Sequence, residues 1–512
     1  MRSRLCCLLI LFIVQCQSIP KNYAAMPSHA VRNVASTKLA QRLEPQLAQH
    51  PGLNGFYPLA EGTDALIARL AAAHVAEKTL DIQYYIWQDD MAGRLVMEAI
   101  LEAADRGVRV RLLLDDLNIG THEDPLLTLD THPNIEVRMF NPFANRKVRF
   151  FEIVRFDQAN RRMHNKTFIT DNLTAIVGGR NIGNEYFMAS KEMNFGDYDV
   201  WVTGPIVPEI SKSFDAYWNH ELAVPITALN KRKVEADELA KLHGFFAKFR
   251  EEVRTTPYAY ALEESELRRH FNEGTMKVYW GKGEFISDSP DKLNVEKEKA
   301  PEIETHRMRT VQRGLSRDAQ KELFFVTPYF IPGKEGVGFF ERQIKRGVKV
   351  TILTNSLASS DVVSVFPGYK RYRADLLKVG VELYELKPRG EIFRKAQGIG
   401  SGSQSGLHAK VYAFDRERLF IGSMNLDPRS LEVNSELGVI VESPDMTTQF
   451  VEPLARQLPT LAYKVSLDAS GDLHWTTLED GKTVILQSEP EATLWRRLKS
   501  TVYSWIMPET ML

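Results

Sequence analysis

Two short stretches of the chain each place a lysine two residues after a histidine, at His164 and Lys166 and again at His408 and Lys410. Side chains alternate between the two faces of a β-strand, so residues at positions i and i+2 point to the same face. An imidazole with a pKa of about 6.5 can attack or donate a proton near neutral pH, and a neighbouring ammonium group can neutralise an anion. The two pairs therefore predict chemistry at an anionic group such as a phosphodiester.

The same local pattern follows each pair. A turn is expected at Asp171 and at Asp415, and the chain then returns through a small residue, Gly179 or Ser423. If each segment forms a hairpin, Gly179 lies beside the first histidine and Ser423 beside the second. Small side chains at these positions would leave room for a phosphate, and Ser423 is a candidate phosphate-binding residue.

Asn181 and Asn425 follow two residues later and are predicted to present amide donors on the same face. Together with the lysines they would stabilise negative charge on the equatorial oxygens of a phosphoryl-transfer transition state. One histidine can attack phosphorus to form a phospho-histidine while the other protonates the leaving alkoxide, and water or an alcohol then releases the product. The candidate catalytic residues are His164, Lys166, Asp171, His408, Lys410 and Asp415.

Asp171 and Asp415 allow two interpretations. Both belong to the repeated pattern, which keeps them in the candidate catalytic set. Aspartate is also favoured at hairpin turns, where its carboxylate accepts hydrogen bonds from nearby backbone groups. Their predicted turn positions favour the structural role.

Self-similarity extends well beyond these motifs. Strand-like runs rich in Val, Ile and Leu alternate with segments of helical period, which is typical of sheets covered by helices on both faces. Four segments of one half match four of the other in the same order: 80–86 with 322–331, 104–116 with 344–356, 134–142 with 380–388, and 163–171 with 407–415. The predicted fold class is α/β, with two pseudo-symmetric repeats, each a mostly β sheet flanked by helices, sharing one central active-site cleft. The predicted divisions are a signal segment at 1–25, a first repeat at 50–222, a helical connecting segment at 223–305, a second repeat at 306–460 and a C-terminal extension at 461–512.

The 512 residues carry 65 basic and 66 acidic side chains, for a net charge of −1. This balance argues against a dedicated non-specific nucleic-acid binder, so no nucleic-acid partner is expected. The three cysteines, Cys6, Cys7 and Cys16, all lie near the start of the chain. The rest of the chain therefore has no disulfide, no thiolate nucleophile and no cysteine-based zinc site.

The N-terminal segment has the features of an export signal. A basic start precedes an apolar run at 5–14, which is too short to span a bilayer. Cys16 ends a lipobox-like sequence and is the candidate lipidation site, although a glutamine precedes it where a small residue is expected. The alternatives are cleavage without lipid near 24–25, or palmitoylation of Cys6 and Cys7 on an uncleaved chain. Lipidation predicts a membrane-associated, exported protein on the periplasmic side.

The pattern H-x-K-x4-D-x6-G-[SG]-x-N occurs twice, 244 residues apart, and resembles the paired HKD signature of the phospholipase D superfamily. Within that superfamily the chain is similar to bacterial phosphatidyltransferases of the cardiolipin synthase C type, from about residue 50 to the end. The stretches that carry the likeness are LDIQYYIWQDD, RGVRVRLLLDD, NRRMHNK, VGGRNIG, ILTNSLA, GVELYELKP, LHAK and IGSMNLDPRS.

The resemblance implies a role for each group. His164 would be the nucleophile and His408 the general acid, and downstream acidic residues, Asp197 and Glu436, would orient the imidazoles. No metal and no cofactor are implied, since the lysines supply the positive charge. Gly179 is a departure because serine is usual there, and it weakens the expectation of a hydroxyl group at that position.

The resemblance implies phosphatidyl transfer on membrane phospholipids, with phosphatidylglycerol and phosphatidylethanolamine as substrates and cardiolipin as the product. Three alternatives stay open: a hydrolytic phospholipase D, a nucleic-acid phosphodiesterase with the same site, and a catalytically silent lipid-binding scaffold. The near-zero net charge argues against the second and the intact His-x-Lys pairs against the third. The sequence leaves the acceptor, the head-group preference and the oligomeric state open.

The C-terminal segment 494–506 carries apolar residues at helical spacing, with Trp495 and Trp505 beside them and basic residues among them. Such a helix suits a membrane interface. Packing against the domain is the favoured interpretation for a helix of this length.

Overall fold

The computed structural model describes residues 19–20, 23–119, 123–144, 155–273, 275–295, 307–389 and 403–506. The candidate lipidation site Cys16, together with Cys6 and Cys7, lies outside these ranges.

The α-helices are α1 Lys38–Gln49, α2 Gly62–Val75, α3 Met91–Asp105, α4 Glu123–Leu129, α5 Phe156–Asn160, α6 Val207–Trp218, α7 Ile226–Leu229, α8 Glu238–Arg254, α9 Pro257–Glu263, α10 Glu266–Glu273, α11 Arg307–Asp318, α12 Gly333–Lys345, α13 Phe366–Val379, α14 Pro444–Leu461 and α15 Leu494–Ile506. The strands of the first half are β1 Asn54–Leu59, β2 Thr79–Tyr84, β3 Arg109–Asp115, β4 Ile135–Phe140, β5 Thr167–Thr170, β6 Thr174–Gly178, β7 Met193–Gly196, β8 Asp199–Thr203 and β9 Ala223–Pro225. The remaining strands are β10 Tyr279–Ser287, β11 Glu322–Val326, β12 Lys349–Asn355, β13 Glu382–Leu386, β14 Gln404–Leu407, β15 Val411–Phe414, β16 Arg418–Gly422, β17 Leu437–Glu442, β18 Ala462–Leu467, β19 Leu473–Glu479 and β20 Lys482–Leu486.

The two halves repeat one strand arrangement. In the first half β2, β3 and β4 pair in parallel, and in the second half β11, β12 and β13 do the same. Their apolar runs are buried because crossover helices such as α3 cover the sheet. An antiparallel hairpin, β5–β6 or β15–β16, pairs with the free edge of the first parallel strand in each half. The predicted α/β class is thereby confirmed.

All the strands of both halves except β7 and β14, which pair separately with each other, form one continuous path. Starting from β9, the order is β9-β4-β3-β2-β5-β6-β8-β1, and the path then continues through β10-β17-β16-β15-β11-β12-β13-β18-β19-β20. The joint between the halves is β10, which pairs antiparallel with both β1 and β17.

The segment 223–305 that joins the halves was expected to be helical, and the structure shows strands in it as well as helices. It contains helices α7 to α10, but it begins with β9 and later forms β10. The charged sequence of α8 forms a helix, as expected. Further along the segment, Tyr279, Phe285 and Ile286 provide the buried apolar positions of a strand. This strand makes the joint a structural part of both sheets.

One large buried cluster spans both halves. Val200 and Phe214 of the first half share it with Val439 and Phe450 of the second. The rings of Tyr198 and Phe450 meet edge to face at 5.1 Å between centroids. Because this apolar core spans both halves, it holds the two catalytic segments in a fixed relation.

No helix among the described residues is long and apolar enough to cross a bilayer.

Candidate active site

The backbone around each His-x-Lys pair is held by the opposite half of the molecule. The amide of His164 donates to the Ser435 carbonyl (3.0 Å), and the amide of Ser435 donates to the Arg162 carbonyl (3.1 Å). In the same way β14, which leads into His408, pairs in parallel with β7, and the His408 amide donates to the Gly196 carbonyl (2.8 Å). Each catalytic segment thus lies beside a segment of the other repeat.

Those neighbouring segments carry the carboxylates. His164 Nδ1 lies 2.8 Å from Glu436 Oε2, and His408 Nδ1 lies 2.6 Å from Asp197 Oδ2. All four side chains are buried. Both candidate orienting residues therefore contact an imidazole, and each contacts the histidine of the opposite repeat. With Nδ1 engaged, Nε2 is the nitrogen left to react on each ring.

The two lysines are turned into the same buried site. Lys166 Nζ donates to the carbonyl of His164 (2.6 Å), and Lys410 Nζ donates to the carbonyl of His408 (2.5 Å). Burial lowers the pKa of Lys410 to about 8, although Asp197 opposes the shift. Burial also lowers the pKa of Lys166, and Lys410 lowers it further. Both ammonium groups act on the same imidazole, His164, and together they favour binding of an anion.

The pair formed by His164 and Glu436 tends towards neutrality. Burial lowers the pKa of His164 well below its ordinary value, and Lys166, Lys410 and Arg429 lower it further. Burial raises the pKa of Glu436 to about 7, although Lys166 opposes that shift. At neutral pH this imidazole is therefore unprotonated and available as a nucleophile.

The pair formed by His408 and Asp197 has a different charge state. Burial would raise the pKa of Asp197, but His408 and Lys410 together hold it below its ordinary value, so this carboxylate is ionised. Burial and Lys410 lower the pKa of His408 to about 4, and Asp197 opposes them. A fixed negative charge thus stabilises the protonated form of this imidazole, unlike its counterpart.

Each imidazole also packs against a tyrosine that the sequence interpretation missed. Tyr85 meets His164 edge to face at 4.9 Å between centroids, and Tyr186 meets His408 at 5.1 Å. Lys166 Nζ lies 5.2 Å from the centroid of the Tyr85 ring. Tyr85 follows β2 directly. Its place as an aromatic residue at the end of a predicted buried strand is the sequence signal that could have identified it.

The two candidate asparagines have different surroundings. Asn181 is fully engaged, because its Oδ1 accepts from the Ile86 amide (3.2 Å) and its Nδ2 donates to the Tyr186 hydroxyl (2.9 Å). It therefore positions the tyrosine that packs on His408. Asn425 is buried, and its Oδ1 has no hydrogen-bond partner among the described residues. Asn425 is the better placed of the two to reorient towards a ligand.

The predicted positions of Gly179 and Ser423 are wrong by one residue. The pairing of Thr167 with Val177 places Gly179 opposite Asn165, and the second hairpin shifts Ser423 in the same way. A one-residue shift moves a side chain to the other face of a strand. The structure thus puts neither small residue beside the histidine of its own repeat.

Both small residues instead face the crossed carboxylates. The Ser423 hydroxyl donates to Glu436 Oε2 (2.5 Å), the same oxygen that contacts His164. A Cβ atom on Gly179 would lie 2.3 Å from Asp197 Oδ1, so the carboxylate of Asp197 occupies the space of the missing side chain. Ser423 therefore supports an orienting residue instead of binding phosphate directly.

Asp115 and Asn355 hold the residues that precede the two histidines. Asp115 Oδ2 accepts from the Met163 amide (2.9 Å), and Asn355 Oδ1 accepts from the Leu407 amide (2.9 Å). Both residues end a central parallel strand and lie 240 positions apart. The internal repeat could have revealed them, because the two glycine turns before these strands have the same separation.

The structure gives Asp171 and Asp415 a different role from the catalytic one for which they were candidates. Asp171 accepts from the amides of Glu77, Lys78 and Thr79 at 2.7–3.0 Å. Asp415 repeats this at residues 320–322. Each lies at a hairpin turn seven residues from its histidine, about 20 Å along an extended chain. They fasten the turns to the starts of β2 and β11.

Asp171→Ala is therefore expected to lower the free energy of unfolding by about 2 kcal/mol, because three backbone amides lose their buried acceptor. The kcat of the folded enzyme should stay within about twofold of native. Thermal unfolding and a turnover assay would check both, with Asp375→Ala at an exposed position as the control. A large loss of kcat in a fully folded variant would restore the catalytic interpretation.

The described residues contain no group of three or more His, Cys, Asp or Glu side chains arranged to hold a metal ion. The positive charge of the site comes from Lys166, Lys410 and Arg429.

Comparison with known proteins identifies relatives of the whole chain. Residues 66–218 and 315–458 match the family described as cardiolipin synthase, phospholipase D-like domain. Cardiolipin synthase C of Escherichia coli is 40% identical over 93% of this chain and all of its own length. Cardiolipin synthase A of Pseudomonas syringae is 26% identical over 84% of this chain and 74% of its own length. The crystal structure of phosphatidylserine synthase of Haemophilus influenzae superposes with a TM-score of 0.55 at 13% identity, over 92% of this chain and 99% of that protein, and so shows the fold.

Proposed function

Because the chain belongs to the cardiolipin synthase family with phospholipase D-like domains, we propose that it forms cardiolipin from two membrane phospholipids. It is a phosphatidyltransferase similar to cardiolipin synthase C. The proposed acceptor is phosphatidylglycerol, and the proposed donor is phosphatidylethanolamine or a second phosphatidylglycerol. The observation that carries the proposal is the convergence of both His-x-Lys pairs, each held by a carboxylate from the other repeat.

The unequal charge states of the two pairs support different roles for the histidines. His164 is unprotonated beside Glu436, whose own pKa is raised to about 7 by burial, so it suits a nucleophile. His408 lies beside the ionised Asp197, which opposes the burial that lowers the pKa of His408 to about 4, so its general-acid role requires the imidazolium to form as substrate binds. An anionic phosphodiester bound nearby would stabilise that imidazolium further.

The proposed reaction has two steps. His164 Nε2 attacks phosphorus, the bond to the head-group oxygen breaks, and His408 Nε2 gives its proton to that oxygen. The head-group alcohol leaves, and the phosphatidyl group remains on the first imidazole. His408 then removes the proton from a glycerol hydroxyl of phosphatidylglycerol, whose oxygen attacks phosphorus and breaks the bond to His164. Lys166 and Lys410 neutralise the charge on the phosphoryl oxygens in both steps.

Glu436→Gln is expected to lower kcat/KM by roughly 100-fold or more and to change its pH profile. Glu436 must lose its proton to stabilise the cationic imidazole formed when His164 attacks, and burial raises its pKa to about 7. In the native enzyme kcat/KM should therefore rise as the pH passes about 7. Glutamine cannot ionise, so this rise should be absent from the variant.

Asp197→Asn is the matched control. Asp197 is already ionised throughout the working range, because His408 and Lys410 outweigh burial and lower its pKa. Its loss should reduce the rate while keeping the rise near neutral pH. A profile that keeps this rise in Glu436→Gln, or loses it in Asp197→Asn, would contradict the assignment.

A product assay tests the proposed function directly. The protein would be incubated with vesicles of labelled phosphatidylglycerol, with and without phosphatidylethanolamine. Labelled cardiolipin is expected, and a stimulation by phosphatidylethanolamine would identify it as the donor. Phosphatidic acid as the sole product would mean a hydrolase that uses water. Unchanged lipids under every condition would reject the lipid substrate and direct the same assay to nucleic-acid phosphodiesters.

The N-terminal sequence supports a cellular location for the enzyme. We propose that Cys16 carries lipid and attaches an exported enzyme to the periplasmic side of a membrane. Labelling of growing cells with radioactive palmitate should give a labelled protein, and Cys16→Ser should lose the label completely. Cys6→Ser combined with Cys7→Ser is the control and should keep it. The opposite pattern would instead indicate palmitoylation of the first two cysteines.

A further inference from the structure

Helix α15 presents an apolar face to solvent, contrary to the expectation that this face packs against the domain. Consecutive helical residues turn by about 100°, which places the five exposed apolar side chains of α15 within an arc of about 100°. The exposed fractions are 83% for Leu494, 62% for Trp495, 53% for Leu498, 38% for Val502 and 80% for Trp505. These five residues are called the α15 stripe below. Two exposed tryptophans on one short helix face mark an interaction surface.

The opposite face of α15 is already attached to the protein. Arg496 Nη1 donates to the carbonyls of Leu357 and Ser360, both at 2.9 Å. Arg497 Nη2 donates to the carbonyl of Glu489 (2.7 Å), and Ser500 is buried. The helix is therefore docked through its polar face, and its exposed stripe is a stable feature of the surface.

The loop that receives Arg496 lies against the strand that leads into His408. It follows Asn355, whose side chain binds both the amide and the carbonyl of Leu407, the residue before His408. The carbonyl of Ser359 in this loop lies 3.1 Å from the position of a Cβ atom on Gly406. The α15 stripe is thus connected to the His408 side of the active site by one short loop.

The charge of α15 selects one kind of partner. Its sequence, LWRRLKSTVYSWI, has three basic and no acidic residues. Lys499 lies beside the stripe, with its Nζ 5.3 Å from the centroid of the Trp495 ring. Tryptophan favours the interface of a bilayer, and basic residues beside it favour anionic lipid head groups. The α15 stripe therefore combines apolar insertion with attraction to negative charge.

We propose that α15 lies in the interface of an anionic phospholipid bilayer, with its apolar stripe inserted, and so places the catalytic cleft at the membrane surface. This inference deepens the proposed function and rests on its phospholipid substrates. A second copy of the chain is the competing occupant of the same stripe, but it would bring Lys499 of one copy close to Lys499 of the other.

Tryptophan quenching tests the contact locally, so an N-terminal anchor does not obscure it. The full chain would be mixed with vesicles of phosphatidylglycerol and brominated phosphatidylcholine, because bromine quenches only tryptophans that enter the bilayer. The expected result is a loss of emission that disappears in the variant Trp495→Phe/Trp505→Phe. The other five tryptophans are buried or half-buried, so they should contribute little to the quenching. No quenching, or equal quenching in the phenylalanine variant, would overturn the proposal.

Leu498→Glu/Trp505→Glu tests the consequence for catalysis. Turnover on phosphatidylglycerol vesicles should fall at least about tenfold, while turnover on a monomeric short-chain phosphatidylglycerol should stay near native. Tyr260→Glu, at an exposed position of α9, is the matched control and should preserve both rates. Equal losses of turnover on both substrates would overturn the membrane contact. So would a native protein that shows no quenching and forms a dimer that Leu498→Glu/Trp505→Glu dissociates. If the native protein is quenched but turns over neither substrate, the contact stands and the proposed function fails.

Discussion

His164→Ala is expected to lower the rate of phosphatidyl transfer by about 10⁴-fold or more, because it removes the nucleophile that holds the phosphatidyl group. KM should change little, since Lys166 and Lys410 remain to bind the anionic phosphodiester. Covalent labelling of the protein by a phospholipid labelled at phosphorus should disappear. Initial rates on mixed vesicles and gel analysis of the labelled protein would measure the two effects.

The control for this prediction separates chemistry from folding. His243 is half-buried on α8 beside Asp105, outside the site, so His243→Ala removes a histidine without touching the site. It should keep native rate and native labelling. The thermal unfolding of His164→Ala should show a folded protein, since Glu436 keeps its contact with Ser423. Substantial transfer by a folded His164→Ala protein would show that the reaction does not use this histidine as its nucleophile.

His408→Ala is expected to show a loss that depends on the leaving group. With phosphatidylethanolamine, whose leaving alkoxide needs a proton, the first step should slow by about 10³-fold or more. With a phosphatidyl ester of p-nitrophenol, whose leaving group needs no proton, the burst of p-nitrophenol should be nearly preserved. The covalent intermediate should then accumulate, because the base that activates the acceptor is also missing. Stopped-flow absorbance and the yield of labelled protein would measure both.

The converse pattern would reverse the roles. If His408→Ala lost the covalent label with the activated ester while His164→Ala kept it, the nucleophile would be His408. We expect His164 to be the nucleophile because the two carboxylates differ. Asp197 beside His408 is ionised, whereas burial raises the pKa of Glu436 beside His164 to about 7.

The sequence predicted the chemistry better than it predicted the contacts. The types of catalytic side chain could be predicted from the two His-x-Lys pairs, because the spacing i, i+2 on a strand decides which side chains share a face. The repeat predicted the α/β class, since buried parallel strands leave a recognisable apolar pattern. Both inferences depend on local order along the chain, and local order is what a single sequence records.

Contacts between the repeats could not be predicted in this way. Asp197 and Glu436 were identified as orienting residues, but nothing in either repeat indicates that each crosses to the other histidine. That crossing depends on the parallel pairing of β7 with β14 and on the bridge at Ser435, which lie far apart in sequence. The position of Ser423 was wrong because the turn between Phe414 and Arg418 contains three residues, which shifts the register of the whole hairpin by one residue.

The most direct test of the account is to locate the covalent phosphatidyl group. The His408→Ala protein would react with the p-nitrophenyl phosphatidyl ester, be quenched in base to preserve the phosphorus–nitrogen bond, and be digested for mass spectrometry. The expected result is the mass of one phosphatidyl group on the peptide that contains His164, and none in the protein that also carries His164→Ala. An adduct on any other residue, or p-nitrophenol release without an adduct, would contradict a shared active site with His164 as its nucleophile.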